Sequence, residues 1–164
     1  MSEEWRPVPG WEYYEVSSLG RVRSLDKITP ARGGGVQKKQ GKVLRQQPVQ
    51  GYLRVTVQGA GHRRTLKVHV LVLEAFVGPK PDVGQECRHL NGDSTDNRAD
   101  NLMWGTRSEN VLDQVFHGTH SMANKMTCPR GHPYDYIAPK SGQRACTTCR
   151  ADATRRYRKK VDNG

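Results

Sequence analysis

Two groups of residues in this sequence have types and spacings that could do chemistry. The first is His89, Asn101 and Asn110, which stand twelve and then nine positions apart. A neutral imidazole takes a proton near neutral pH. A carboxamide oxygen is a hard ligand suited to Mg²⁺. A second carboxamide can lash a loop to a strand and hold a neighbouring side chain in place, the part Asn101 would play for His89. Hydrolysis of a phosphodiester needs a base on water and a cation on the phosphate and its leaving oxygen. The second group is Cys128-x₃-His132 and Cys146-x₂-Cys149, two pairs separated by thirteen residues. Three thiolates and an imidazole so spaced fit a tetrahedral structural Zn²⁺ site, which leaves no position open for water. Cys87 stands apart and reads as a small buried residue. His69 reads as a packed helix histidine, with a helper-ligand role as the alternative.

The elements that must position these groups follow from periodicity. Residues 5–27 are aromatic early and basic late, with short strands around Tyr14, Val16 and Val22 broken by a turn at Ser17-Ser18-Leu19-Gly20. Residues 28–42 are rich in Gly, Lys and Gln and read as a loop. Residues 43–49, 52–58 and 63–67 read as three strands joined by turns at Gln50-Gly51 and Gly59-Ala60-Gly61. In the middle strand Leu53, Val55 and Val57 alternate with polar residues. Val68, Leu71, Val72, Ala75 and Phe76 then fall at helical spacing, and Gly78-Pro79 ends that helix. Residues 86–88 form a short strand, 89–100 a polar loop, and 101–104 the returning strand. Thr106-Arg107-Ser108-Glu109 is a capping box that starts a second helix running to about Phe116. Such a strand–loop–strand–helix unit can bring His89 and Asn110 to one cleft. Residues 117–127 read as a linker and residues 150–160 as a basic helix or tail.

Composition sets the frame. Of 164 residues only 34% are hydrophobic, 26% are charged, and 17 are Gly, so any core is small. The expected organisation is a basic β module over 1–60, a central domain over 61–117, and a linker, metal module and basic tail over 118–164. The net charge is +11, and it is segregated. Residues 1–60 carry 10 basic and 5 acidic residues, 61–117 carry 7 and 8, and 118–164 carry 10 and 3. Basic arms around a near-neutral centre suit a polyanion, with nucleic acid the expected partner. Candidate phosphate contacts are Arg21, Arg23, Lys38, Lys39, Lys42 and Arg45 on one side. On the other they are Arg155, Arg156, Arg158, Lys159 and Lys160. The N-terminal Met-Ser-Glu-Glu-Trp has no basic and apolar leader pattern, and no apolar run is long enough to span a membrane. The expectation is a cytoplasmic protein of a bacterial or phage-infected cell, with reduced cysteines and no membrane partner.

The segment VHVLVLEAFVGPKPDVGQECRHLNGDSTDNRADNLMWGTRSEN, residues 68–110, resembles the HNH endonucleases of phage and intron-homing type. The segment WRPVPGWEYYEVSSLGRVRSL, residues 5–25, resembles the nuclease-associated modular DNA-binding motif found ahead of such domains. CPRGHPYD…RACTTCR resembles a zinc-ribbon-like element that follows some phage HNH domains. These resemblances imply an α+β protein: a small β-rich module, a ββα-metal nuclease core, and a small zinc-bound module with a basic helix or tail. They imply a metal-dependent DNA endonuclease. His89 would be the general base, Asn101 the brace of the fold, and Asn110 a ligand of Mg²⁺ or another divalent cation. Double-stranded DNA is the implied substrate, and other phage proteins are further candidate partners. One position departs from the pattern. Many relatives carry Asp or His before the base as a second metal ligand, where this chain has Arg88, and a guanidinium cannot ligate a cation. Two readings stay open: a metal held by Asn110, DNA phosphate and water with Arg88 on the scissile phosphate, or a weakened or dead site. The intact remainder of the motif favours the first. The alternatives from other classes are a non-catalytic DNA-binding protein on an HNH scaffold and an RNA-binding zinc protein.

Overall fold

The computed structural model describes residues 2–59 and 61–162. The middle residue of the Gly59-Ala60-Gly61 turn and the outermost terminal residues of the expected modules lie outside the described residues. The chain divides into two compact units, Met1–His117 and Gly118–Gly164. Among the described residues its mixture of small sheets and three α-helices is the α+β class expected from the sequence.

The first unit starts with an antiparallel sheet of β1 (Trp5–Val8), β2 (Trp11–Ser17) and β3 (Val22–Ser24). A second antiparallel sheet holds β6 (Gln47–Val49), β7 (Tyr52–Gly59) and β8 (His62–Lys67) in that order. Between them, residues expected to form a loop make an exposed hairpin of β4 (Lys27–Pro30) and β5 (Val36–Lys39). The hairpin buries no residue, so no alternation of apolar and polar positions marked it in the sequence. Strand β6 is shorter than the 43–49 expected, and it is an edge strand, where Pro48 costs no ladder bond in the sheet interior.

Helix α1 (Val68–Phe76) follows β8 directly and packs against β1, β2 and β7. The sequence stripe predicted one buried face, but Leu73 and His69 are buried as well as Val68, Leu71 and Val72, because sheets cover the helix on more than one side. The core is built chiefly from valine: Val8, Val16, Val22, Val55, Val57, Val68 and Val72 are fully buried together with Leu73. It runs without a break from the first sheet through α1 to Leu102, so residues on both sides of position 60 share it. Stiff β-branched side chains give a small core well-defined packing at little side-chain entropy cost.

The rest of the first unit is the expected strand–loop–strand–helix element. Strands β9 (Gln85–His89) and β10 (Leu102–Thr106) pair antiparallel, with His89 opposite Leu102 and Gln85 opposite Thr106. Helix α2 (Arg107–Phe116) follows at once. Its capping box is formed in full: the Thr106 side chain accepts from the Glu109 N–H at 3.2 Å, and the Glu109 carboxylate accepts from the Thr106 N–H at 2.7 Å.

The second unit holds a hairpin of β11 (Tyr136–Ile137) and β12 (Arg144–Ala145) and helix α3 (Thr147–Asp162). The basic segment expected as a helix or tail is thus helical. Among the described residues no helix is long and apolar enough to cross a membrane.

Candidate active site and metal cluster

The β9–β10–α2 element sorts its polar residues by face. Successive strand residues point to opposite sides. Glu86 and Arg88 therefore face α2, while Cys87 and His89 face α1 and the core.

His89 is 9% exposed and ends β9. Its Nε2 lies 3.3 Å from Asn97 Oδ1. Its ring meets His69 edge-on at 5.2 Å between centroids and lies 6.2 Å from Tyr52. Burial pulls the His89 pKa below the ordinary imidazole value, against the opposing pull of Asn97, Asp93 and Asp96. His69 is pushed much further, to about 3, by burial first and then by the charges of His89, Lys67 and Arg54.

The hydrogen bonds of the Asn101 side chain go to the loop and not to His89. Its Oδ1 accepts from the Asn91 N–H at 3.0 Å, and its Nδ2 donates to Asn91 Oδ1 at 3.0 Å and to the Asp96 carbonyl at 2.8 Å. It closes the 90–100 loop on itself, and the loop in turn presents Asn97 to His89. Asn97 was not singled out in the sequence: it sits in a run, Asp96-Asn97-Arg98, whose lack of period gives no way to tell an inward residue from an outward one. The turn after β2 backs the loop. Gly20 lies against Asn97 so closely that a Cβ there would stand 2.8 Å from the Asn97 carbonyl oxygen, and the Ala99 N–H donates to the Ser18 carbonyl at 2.9 Å. The N-terminal sheet therefore supports the residue that orients His89.

Asn110 lies in the first turn of α2 and donates from Nδ2 to Glu86 Oε2 at 2.9 Å. Glu86 thus accepts from the Asn110 amide, and its other oxygen stands 3.5 Å from Arg107 Nη1; the two neighbouring side chains each carry a hard oxygen donor. Both line a cavity of about 400 Å³ together with Tyr52, Lys67, His69 and Cys87. His89 is not among its lining residues, so this cavity does not unite His89 and Asn110 in the one cleft expected from the sequence. Arg88 is held by two acidic residues of α2. Its Nε and Nη2 donate to the two oxygens of Asp113 at 2.7 and 3.0 Å, and its Nη1 stands 3.4 Å from Glu109. Gly105 makes room for it, since a Cβ there would be 2.3 Å from Arg88 Cδ.

Residues 66–112 match the HNH endonuclease family model, and residues 3–58 match the NUMOD4 motif. This chain carries an HNH endonuclease domain behind a NUMOD4 motif. It is homologous to the DNA endonuclease I-HmuI of Bacillus phage SP01, at 33% identity over 71% of this chain and 60% of the relative. It is also 34% identical to the uncharacterised HNH endonuclease L247 of Acanthamoeba polyphaga mimivirus, over 76% of this chain and 29% of that protein. The solved structure of DNA binding and cleavage by I-HmuI matches with a TM-score of 0.55 at 32% identity, over 71% of this chain and 60% of that one. The chain therefore spans 60% of I-HmuI and 29% of L247, less than two thirds of either.

The second unit follows the HNH domain and gathers Cys128, His132, Cys146 and Cys149 with their donor atoms within 4.8 Å of one another. Cys128 Sγ lies 3.7 Å from both His132 Nδ1 and Cys149 Sγ, and His132 Nδ1 lies 3.4 Å from Cys149 Sγ. The first pair sits on a tight knuckle in which the Cys128 N–H donates to the His132 carbonyl at 2.8 Å. The second pair brackets the start of α3, whose Thr147 N–H is capped by Asp135 at 2.8 Å. Burial raises the Cys128 thiol, but the Arg130 and His132 N–H groups with Cys149 and His132 outweigh it and bring it down to about 7. A thiol so poised and four convergent donors fit a metal ion.

The basic residues named from the sequence fall into two kinds. Arg21 pairs with Glu3, and Arg23 donates to Glu15 at 2.7 Å; both guanidinium groups lie over the Trp5 ring. Lys38 stands 3.4 Å from Asp26. Lys39, Lys42 and Arg45 are exposed on the NUMOD4 side. On α3 the exposed cations are Arg155, Arg156, Arg158, Lys159 and Lys160, and Arg155 and Arg158 share one groove with Arg150.

Proposed function

We propose that this protein is a metal-dependent DNA endonuclease that hydrolyses phosphodiester bonds, with His89 as general base. The observation that carries the reading is one strand pair and helix, matched by the HNH family model, with His89 at the end of its first strand, Asn101 in the turn just before its second and Asn110 on its helix. Between the two buried imidazoles, His89 is the better base. His69, with a pKa of about 3, is too weak to draw a proton from water near neutral pH. In the tautomer where Nε2 donates to Asn97 Oδ1, Nδ1 of His89 keeps the lone pair that takes the proton. Asn101 acts through the loop and Asn97, as a positioning residue.

The Asn110 carboxamide oxygen and the Glu86 carboxylate would hold the divalent cation, Mg²⁺ or an ion of similar hardness. When bound, that ion supplies positive charge against the phosphate and the departing oxygen. Glu86 provides the acidic group that the sequence lacks at position 88. Arg88 instead ties β9 to α2 through Asp113, which keeps Glu86 and Asn110 in register. We assign Zn²⁺ to the Cys128–His132–Cys146–Cys149 cluster as a structural ion. Four ligands exclude water, and metal binding supplies folding energy to a small polar segment.

The chain divides its labour as a NUMOD4 module over 1–60 that grips DNA, the HNH domain over 61–117 that cuts it, and a zinc module with a basic helix over 118–164. Double-stranded DNA is the substrate we infer, contacted by Lys39, Lys42 and Arg45 of the first unit and by the α3 cations of the second. Reduced thiols fit a cytoplasmic setting in a bacterial or phage-infected cell. The experiment is cleavage of supercoiled plasmid with Mg²⁺ titrated in. Nicked or linear product that needs Mg²⁺, with a higher Mg²⁺ requirement in Glu86→Gln and Asn110→Ala, supports the reading. Binding without cleavage in every divalent metal tried would overturn it.

A further inference from the structure

Cys87 and His89 share one face of β9, and a third ligand-type side chain meets them there. His69 of α1, Cys87 and His89 each offer one donor atom, and the three atoms lie within 4.8 Å of one another. Cys87 and His89 stand two apart on β9, so strand geometry puts them on one face. His69 comes from the first turn of α1, which packs against that strand. The group is shielded: His69 is 3% and His89 9% exposed, and Cys87 is half-buried. Among the described residues the buried His69 Nδ1 finds no hydrogen-bond partner, an arrangement that a protein interior seldom leaves unfilled.

The donor set decides which ion fits. Two imidazoles and a thiolate, with no carboxylate among them, suit Zn²⁺ and its neighbours and are a poor match to Mg²⁺. Donors around a tetrahedral Zn²⁺ stand roughly 3.3–3.8 Å apart, so the group closes on an ion by about 1 Å of side-chain rotation. Three protein ligands leave a fourth position for water. The cavity lined by His69 and Cys87 gives an ion a way in.

We propose that His69, Cys87 and His89 form a second metal site, selective for zinc-class ions, whose occupancy inhibits the enzyme by engaging His89. The inhibitory half rests on the nuclease reading; the binding half does not. A Mg²⁺-dependent nuclease built this way is silenced by free Zn²⁺ while the ion in its C-terminal module stays where it is.

The test uses the full chain purified with one equivalent of Zn²⁺ in the C-terminal cluster. Co²⁺ is titrated in and the thiolate-to-cobalt absorption is followed. Wild-type protein takes up one further equivalent with a thiolate band. Cys87→Ser loses the band, and His69→Gln weakens the uptake roughly tenfold or more, with tryptophan emission checking the fold of each. No band in folded wild-type protein, or a band that persists in Cys87→Ser, overturns the site. In parallel, plasmid cleavage in excess Mg²⁺ is measured with and without micromolar Zn²⁺, each protein against its own Zn²⁺-free rate. Wild type slows roughly tenfold or more while Cys87→Ser does not; equal inhibition of both overturns the inhibitory role. If wild type cuts nothing in Mg²⁺, the nuclease reading has failed, and the cobalt band still decides the site.

Discussion

Asn101 is the position where the structure makes the most quantitative demand. Its side chain makes three hydrogen bonds, at 3.0, 3.0 and 2.8 Å, all to the loop that holds Asn97 against His89. At about 1 kcal/mol each, removing them in Asn101→Ala costs about 3 kcal/mol. The loop is partly exposed, and Asn91 Oδ1 keeps a second donor in the Asp93 N–H, so water and that bond recover part of the loss. The net expectation is about 2 kcal/mol. Asn101→Asp sharpens the argument. It keeps the shape and the acceptor toward the Asn91 N–H, but it loses both donor bonds and sets an anionic oxygen against two acceptor oxygens. At pH 7 it should therefore destabilise at least as much as Ala. The two acceptors disfavour the charged form, so the folded-state pKa of this Asp is raised, and stability should return as pH falls and the protonated acid donates again. All three tryptophans, Trp5, Trp11 and Trp104, lie in the first unit, so their emission in a denaturant titration reports that unit. A shift below about 0.5 kcal/mol for Ala, or an Asp variant more stable than Ala at pH 7, would refute the brace.

Three further outcomes follow from the geometry. Gly105→Ala drives a Cβ into Arg88 Cδ and should cost about 1–3 kcal/mol, and adding Arg88→Ala should recover most of it; simple additivity of the two would count against the fit. Cys146→Ser, or a strong chelator, should strip the C-terminal ion and lose the circular dichroism of the helix that begins at Thr147; full metal retention in the variant would remove Cys146 from the ligand set. A base must be neutral to act, and burial lowers the pKa of His89, so its neutral form persists to lower pH than in a free imidazole. The acid limb of the cleavage rate should then have its midpoint below 6.5, and a midpoint above that value would contradict the assignment.

Much of this was written in local sequence signals. The capping box at Thr106 and Glu109, the helical spacing from Val68 and the alternation through Val55 and Val57 each follow from backbone chemistry within a few residues, and the elements appear where those signals put them. What stayed hidden depends on contacts between distant segments. Nothing local says that Asn97 rather than its neighbours turns toward His89, because that choice is made by Gly20, 77 positions away. Nothing in the isolated Arg88 says that it binds Asp113 on a helix 25 residues later. Glu86 gained meaning only once β9 was laid against α2. Cys87 and His69, read separately as packing residues, became a cluster when α1 crossed the strand. The β4–β5 hairpin was illegible for a different reason: a ribbon that buries nothing has no hydrophobic period to read.

The most direct measurement of the central claim is the single-turnover cleavage rate of a DNA duplex in Mg²⁺ by wild-type protein and by His89→Ala, with DNA affinity measured alongside. The expected result is a loss of roughly 10²–10⁴-fold in rate while affinity holds within about threefold, with His89→Gln behaving the same way. A His89→Ala protein that binds DNA as wild type does and cuts it within about tenfold of the wild-type rate would contradict the account.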